Sequence, residues 1–242
     1  MSDLSRLFSL DAEEWLASLP DGSADCIIID PPYESLEKHR KRGTTTRLAH
    51  SKSSSNDWFK IIPNARFEAL FAQLYRVLKK NRHLYLMCDQ ETMFVAKPLL
   101  EAAGFKFWKP IVWDKLAMGM GYHYRARCEY VLFCEKGYRK LNDLGIPDVL
   151  NFEAVDQEDC YDLIPAKRIR FGYPTEKPVG LIKTLLSQST QPGELIIDPC
   201  FGSGSSLIAA DELGLEWMGN DLSPAAHEYF HKRRLEAANV SA

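Results

Sequence analysis

Residues 30–33 read Asp-Pro-Pro-Tyr, directly after the apolar run Cys-Ile-Ile-Ile at 26–29. The two prolines remove two N–H donors and fix φ, so the neighbouring carbonyls and the Asp30 carboxylate become a rigid row of acceptors. Tyr33 adds an aromatic face beside that row. The set suits a planar ring bearing an NH₂ group, with the ring on Tyr33 and the amine donating to Asp30 and to a backbone carbonyl. An exocyclic aromatic amine is a poor nucleophile because its lone pair is delocalised. Two acceptors on its hydrogens favour sp³ nitrogen and stabilise the positive charge developing there. Taken alone, the same four residues also fit a stiff turn without chemistry.

A second carboxylate closes a second apolar run, Leu-Ile-Ile-Asp at 195–198, and Asp-Pro-Cys-Phe-Gly-Ser-Gly-Ser-Ser follows from Asp198. Gly202 and Gly204 allow close backbone approach and positive φ. The helix expected next points free N–H groups toward the same place. The run lacks the third glycine of a dinucleotide fingerprint and the lysine of a phosphate-binding loop. The next strand, Leu-Glu-Trp-Met-Gly-Asn-Asp, ends at Asp221, an acid placed to accept from two ribose hydroxyls. Asp221 also fits a helix cap, since Leu-Ser-Pro follows it. Together these residues imply an adenosine-type ligand with its tail near Asp198 and its sugar at Asp221.

The elements that must position these groups alternate. Short apolar runs at 7–10, 26–29, 83–88 and 195–198 read as strands covered on both faces. Helical spacing predicts a helix over 67–80, with Phe67, Leu70, Phe71, Leu74, Val77 and Leu78 on one face. Two further strands are expected in FKFWKPIVW and CEYVLFCEK, a helix after Pro178, and a last helix after Asp221. Strands alternating with helices imply a mostly parallel, three-layer α/β sheet. In such sheets ligands bind beyond the carboxyl ends of the strands, where strand order reverses. Residues 34–62 are polar, basic and rich in Ser and Thr, and read as a long mobile loop. Residues 138–170 have weak periodicity and read as a small insertion.

The 242 residues suit one domain, with 45% hydrophobic and 26% charged residues. A formal net charge of −3 excludes a polycation, so nucleic-acid contact must come from local basic patches. The six cysteines form no C-x-x-C pair, which favours buried free thiols in a reducing cytoplasm and gives no metal site. The first fifteen residues carry acids and no apolar core of a signal peptide, and no stretch is long and apolar enough to span a membrane.

The pairing of DPPY with a later DPCFGSGS resembles the amino-group DNA methyltransferases that use S-adenosylmethionine. The order, catalytic motif before glycine motif, looks like their beta class, a circular permutation of the fold. LFSLDAEEWLASLPDGSADC, FEALFAQLYRVLKKNRHLYLMC, IVWDKLAMGMGYHYRARCEYVLFCEKG and YPTEKPVGLIKTLLS are similar to further segments of that family, in the same order. The resemblance implies a Rossmann-like, seven-stranded, mostly parallel sheet with helices on both faces, forming one methyltransferase domain over 1–242. It implies catalysis by Asp30, Pro31, Pro32 and Tyr33. It implies cofactor binding by Asp11, Ala12, Asp30, Lys177, Pro178, Asp198, Phe201, Gly202, Ser203, Gly204, Ser205 and Asp221, with Asp11 near the adenine and Lys177 and Pro178 at the methionine end. The strand at 7–10 is then expected beside the one at 215–219, and the strands ending at Asp30 and Asp198 beside each other. Two departures stand out. Tyr173 occupies a position where His commonly precedes P-T-E-K-P, and 138–170 is short for a target-recognition region.

The substrate implied is the N6 amine of an adenine flipped out of double-stranded DNA. Cytosine N4 uses the same geometry; family members with Ser in the first catalytic position lean that way, and Asp30 leans toward adenine. A nicotinamide-dependent oxidoreductase and a non-catalytic DNA-binding module are the readings from other classes. Candidate DNA contacts are Lys38, Arg40, Lys41, Arg42, Arg47 and Lys52 in the basic loop, Arg125 and Arg127, and Lys167, Arg168 and Arg170. A homodimer, a cognate restriction endonuclease, and a location at the bacterial nucleoid accompany that expectation.

Overall fold

The structure, a computed structural model, describes residues 6–36, 60–118, 123–152, 173 and 175–240. Eight strands form one sheet in the order β1-β8-β7-β2-β3-β5-β4-β6. They are β1 (Leu7–Phe8), β2 (Ala24–Ile29), β3 (Leu78–Cys88), β4 (Lys106–Asp114), β5 (Cys128–Lys136), β6 (Val149–Asn151), β7 (Leu195–Asp198) and β8 (Glu216–Asn220). β5 runs antiparallel to both its neighbours, and every other pair is parallel. The helices are α1 (Ala12–Ser18), α2 (Phe67–Val77), α3 (Gln90–Ala102), α4 (Val179–Ser189), α5 (Ser205–Glu212) and α6 (Pro224–Val240).

The period of two in the central strands builds three layers. Ile27, Ile29, Leu84 and Leu86 point into one core with Trp15, Phe67, Leu70, Phe71 and Leu100, from α1, α2 and α3. Cys26, Ile28, Tyr85 and Met87 point into the other with Leu181, Leu185, Leu207 and Phe230, from α4, α5 and α6. Both faces of β2 and β3 are thus covered, which is why their sequences are unbroken apolar runs. Each such side chain contributes about 1.5–3 kcal/mol by leaving water. Of the cysteines, Cys26, Cys88, Cys128, Cys134 and Cys200 are free thiols, and Cys160 lies outside the described residues. Among the described residues, no helix is long and apolar enough to cross a membrane.

Two expectations need correction. The sheet has eight strands rather than seven, because Val149–Asn151 adds an edge strand on β4. It arises within the segment read as an insertion; residues 153–170 of that segment lie outside the described residues. The helix expected over 67–80 ends at Val77, and Leu78 already turns extended, at φ −68° and ψ 131°. The cause is tertiary. The buried Asp25 carboxylate accepts from Lys79 Nζ (2.7 Å), Arg82 Nη2 (3.0 Å) and the Leu195 N–H (3.1 Å). Those bonds draw 79–82 into β3, and unpairing a buried carboxylate is costlier than losing one helical turn. Residues 34–36 and 60–62 of the expected loop are described and stay close to the DPPY turn, whereas 37–59 lie outside the described residues.

Candidate active site

β7 and β2 are neighbours, with Cys26 opposite Ile196 and Ile27 opposite Ile197. The chain leaves this pair outward in opposite senses, to β8 on one side and β3 on the other, so strand order reverses between them. β8 then pairs Gly219 with Asp198, which brings Asp221 just past the same sheet edge. One cleft opens there, enclosing about 1210 Å³ including open solvent at its mouth. Asp11, Ala12, Asp30, Pro31, Pro32, Tyr33, Lys177, Asp198, Phe201, Gly202, Ser203, Ser205 and Asp221 all line it. Most of the catalytic and cofactor candidates, far apart in sequence, therefore converge.

The DPPY turn is braced from outside. The Pro32 carbonyl accepts from the Ile62 N–H at 2.8 Å, and Tyr33 bridges to Ile62. Ser35 Oγ donates to Asp89 Oδ2 at 2.6 Å, and Asp89 caps α3 through the Thr92 N–H. Tyr33 is buried but lines the cleft, so its small exposed area faces the cavity. Lys177 Nζ donates to Asp30 Oδ2 at 2.6 Å and lies 3.6 Å from Glu129 Oε2. Burial pushes the Asp30 carboxyl up against the pull of Lys177. Burial also opposes charge on Glu129, but Lys177 and Lys115 outweigh it and hold that carboxyl below its ordinary value.

The glycine turn follows Asp198. Gly202 has φ +50° and Gly204 φ +77°, both in the left-handed region. That bend lets the Gly202 N–H donate to Asp221 Oδ2 (2.9 Å), while the Ser223 N–H donates to Oδ1 (2.8 Å). Asp221 thus fastens the turn and the approach to α6, and the N–H it accepts from on that side is that of Ser223, ahead of the helix. Asp198 accepts from Ser206 Oγ and, at 2.9 Å, from the Cys200 N–H, both neutral donors. Burial pushes its carboxyl up to about 7, and Asp30 and Asp221 add repulsion. A buried carboxylate held only by neutral donors is a place for a ligand cation.

Two of the cofactor candidates do not line the cleft. Pro178 is the residue before α4, and Gly204 packs against Phe230. Arg127 lies at the start of β5, paired with Asp114 at 2.6 Å and 2.8 Å, and Arg125 Nη2 donates to the Met118 carbonyl. Lys38, Arg40, Lys41, Arg42, Arg47, Lys52, Lys167, Arg168 and Arg170 lie outside the described residues. Sequence reasoning missed Glu129, Lys115, Arg66 and Asn220. Arg66 grips both oxygens of Asp11, at 2.9 Å and 2.5 Å. The Asn220 side chain ties β8 to Leu10, donating to its carbonyl (3.0 Å) and accepting from its N–H (3.0 Å). A charged residue within the apolar run of β5 was the available sign of Glu129.

The described lining puts buried carboxylates, a glycine turn and an aromatic residue in one cleft. Comparison with known proteins adds the family. A family model described as DNA methylase matches residues 24–232. YubD of Escherichia coli (strain K12) is 28% identical over 232 residues, 95% of this chain and 90% of the relative. TTHA0409 of Thermus thermophilus, solved in complex with S-adenosyl-L-methionine, superposes with a TM-score of 0.64 at 20% identity, covering 94% of this chain and 92% of that one. The cytosine-N4-specific PvuII DNA methyltransferase superposes with a TM-score of 0.66 at 14% identity, covering 93% and 85%. With the family match spanning most of the sheet and both strand-end motifs, this chain belongs to the DNA methylase family.

Proposed function

We propose that this DNA methyltransferase modifies the N6 amine of an adenine flipped out of the duplex. The observation that carries the proposal is that Asp30, Pro31 and Tyr33 line the same cleft as Asp198 and the glycine turn. The methyl donor is S-adenosylmethionine, which when bound supplies an electrophilic methyl on a sulfonium. Its cationic groups fit the buried Asp198 carboxylate, and its ribose fits Asp221 beside the Gly202 N–H. In this reading Asp30 and the Pro31 carbonyl accept the two amine hydrogens and so localise the nitrogen lone pair. Tyr33 forms the stacking wall, and Pro31 and Pro32 keep the acceptors from relaxing. Asp11 and Ala12 border the adenine end, with Phe201, Ser203 and Ser205 along the turn; Lys177, whose carbonyl accepts from Ser205 Oγ at 2.6 Å, stands at the methionine end, and Pro178 behind it leads into α4. The domain spans the whole sheet, and the basic clusters of 34–62 and 138–170, with Arg125 and Arg127, hold the duplex.

Cytosine N4 is the second reading, because the PvuII enzyme shares this fold. A charged acceptor at Asp30 favours adenine. Nucleoside mass spectrometry of DNA methylated by the protein decides between them. N6-methyldeoxyadenosine is the expected product, and N4-methyldeoxycytidine alone overturns the assignment.

Asp198 gives the cofactor site a pH dependence. Its carboxyl sits near 7 when the cleft is empty of cation, and a cationic ligand binds the ionised form. S-adenosylmethionine affinity is therefore full above about pH 7 and falls as pH drops, approaching about tenfold per unit for one linked proton. Calorimetry near pH 6 in buffers of different ionisation enthalpy should show a proton released on binding. Asp198→Asn should flatten the dependence and weaken binding at alkaline pH.

A further inference from the structure

Four charges stand in a row, of which Asp30, Lys177 and Glu129 line the cleft and Lys115 lies behind Glu129. Lys115 Nζ donates to Glu129 Oε1, Glu129 Oε2 lies 3.6 Å from Lys177 Nζ, and Lys177 Nζ lies 2.6 Å from Asp30 Oδ2. The four come from separate segments: the end of β4, β5, the stretch before α4, and the turn after β2. Two cations and two anions cancel.

The reaction proposed above sets a condition on this row. The target amine must donate to Asp30, yet one of its oxygens already holds an ammonium. That ammonium competes with the amine and repels the positive charge the nitrogen acquires during transfer. It cannot simply retreat, because the Lys177 side chain is only 10% exposed, and an unpaired buried charge is strongly destabilising. Glu129 offers a second carboxylate within reach. Closing 3.6 Å to an ion-pair hydrogen bond of about 2.8 Å takes a shift of under about 1 Å. Resting on the methyl-transfer reading, we propose that Glu129 is a positioning residue: it shares Lys177 with Asp30 and draws the ammonium aside when the target amine arrives, so that an Asp30 oxygen is freed and no buried charge is left unpaired.

The charged groups facing Asp30 are Lys177, Lys115, Glu129 and, from β7, Asp198. Tyr33, Tyr173 and Cys200 also face it, and burial pushes each of them up, so they stay neutral near pH 7. Saturating S-adenosylmethionine removes the Asp198 proton from the comparison. Under that condition differences in the acid limb of kcat/KM for DNA between wild type and variants changed beside Asp30 are read as shifts of Asp30.

The test measures kcat and kcat/KM for DNA from about pH 5 to 9 in wild type, Glu129→Gln and Lys115→Met, with cofactor affinity by calorimetry and folding by thermal unfolding. Glu129→Gln should keep cofactor affinity within about threefold, lower kcat about tenfold or more, and move the acid limb to lower pH, because Asp30 then holds Lys177 alone. Lys115→Met should move the limb the other way, because Glu129 takes more of Lys177 and its repulsion of Asp30 is uncompensated. Because Glu129 and Lys115 act on Asp30 through charge alone as well, opposed limb shifts establish the coupling, and the loss of kcat in a folded, cofactor-binding Glu129→Gln separates a positioning role from a structural one. If Glu129→Gln does not fold, the Lys115→Met limb decides: an unmoved limb overturns the proposal. Wild-type kcat in a folded Glu129→Gln also overturns it. A wild type that binds cofactor but methylates no DNA overturns this proposal and the functional reading together, whereas an active wild type with unmoved limbs overturns the Glu129 role alone.

Discussion

Replacing Asp30 by Ala is expected to lower kcat for DNA methylation by about 10²–10³-fold or more, the loss typical of one preorganised electrostatic contact to a developing charge. Cofactor binding should survive, because Asp198 and Asp221 belong to other strands. The substitution has a second effect, on the fold. It leaves Lys177 with Glu129 alone at 3.6 Å, and breaking a buried pair from one side costs up to about 3–5 kcal/mol. Asp30→Asn separates the two effects. It keeps a side-chain acceptor for one amine hydrogen and loses the charge, so it should retain more activity than Ala while still relaxing Lys177. Single-turnover methyl transfer and calorimetric cofactor binding on both variants provide the check. Near-wild-type transfer by a folded, cofactor-binding Asp30→Ala would remove Asp30 from the mechanism.

Gly204→Ala should be the most damaging single-methyl change on the cofactor side. The residue has φ +77°, where a side chain costs about 1–2 kcal/mol. A Cβ there would stand 2.1 Å from Phe230 Cδ2. Phe230 is fully buried and packs edge-on to Trp217 at 5.9 Å. It cannot yield without moving α6, and overpacking of this kind costs about 1–3 kcal/mol more. The sum, about 2–5 kcal/mol, corresponds to a fall in Tm of roughly 5–15 °C for a chain of this size. Gly202→Ala offers the contrast, since its Cβ would meet only Tyr173, at 3.3 Å. It should lose cofactor affinity more than stability. An unchanged Tm for Gly204→Ala would refute the packing account.

How far the site could be read in advance followed from the range of each interaction. The strand-end acids were visible because a strand covered on both faces leaves an unbroken apolar run, and Asp30 and Asp198 interrupt theirs at the end. Gly202 and Gly204 were visible because only glycine adopts that backbone cheaply. The adjacency of β1 with β8 and of β2 with β7 came with the family resemblance, and the pairing bears it out. What stayed hidden depends on pairs distant along the chain. Arg66 reaches Asp11 across 55 positions, and nothing local marks either partner. Lys79 and Arg82 belong to β3 only because Asp25 takes them. β6 has three residues, too few for any period to show. Glu129 lies in a strand otherwise spent on packing, and its purpose appears only once Lys177 and Asp30 are beside it.

The bond between the Leu10 N–H and Asn220 Oδ1 spans 210 positions. At about 5–20 residues per second on the ribosome, roughly 10–40 s separate the emergence of its two ends. For most of that interval the residues of the DPPY turn have been made, while those of the glycine turn and Asp221 have not. A nascent chain at that stage has the proposed acceptor residues without those proposed to hold the methyl donor, so methyl transfer is expected only after translation has run past β8.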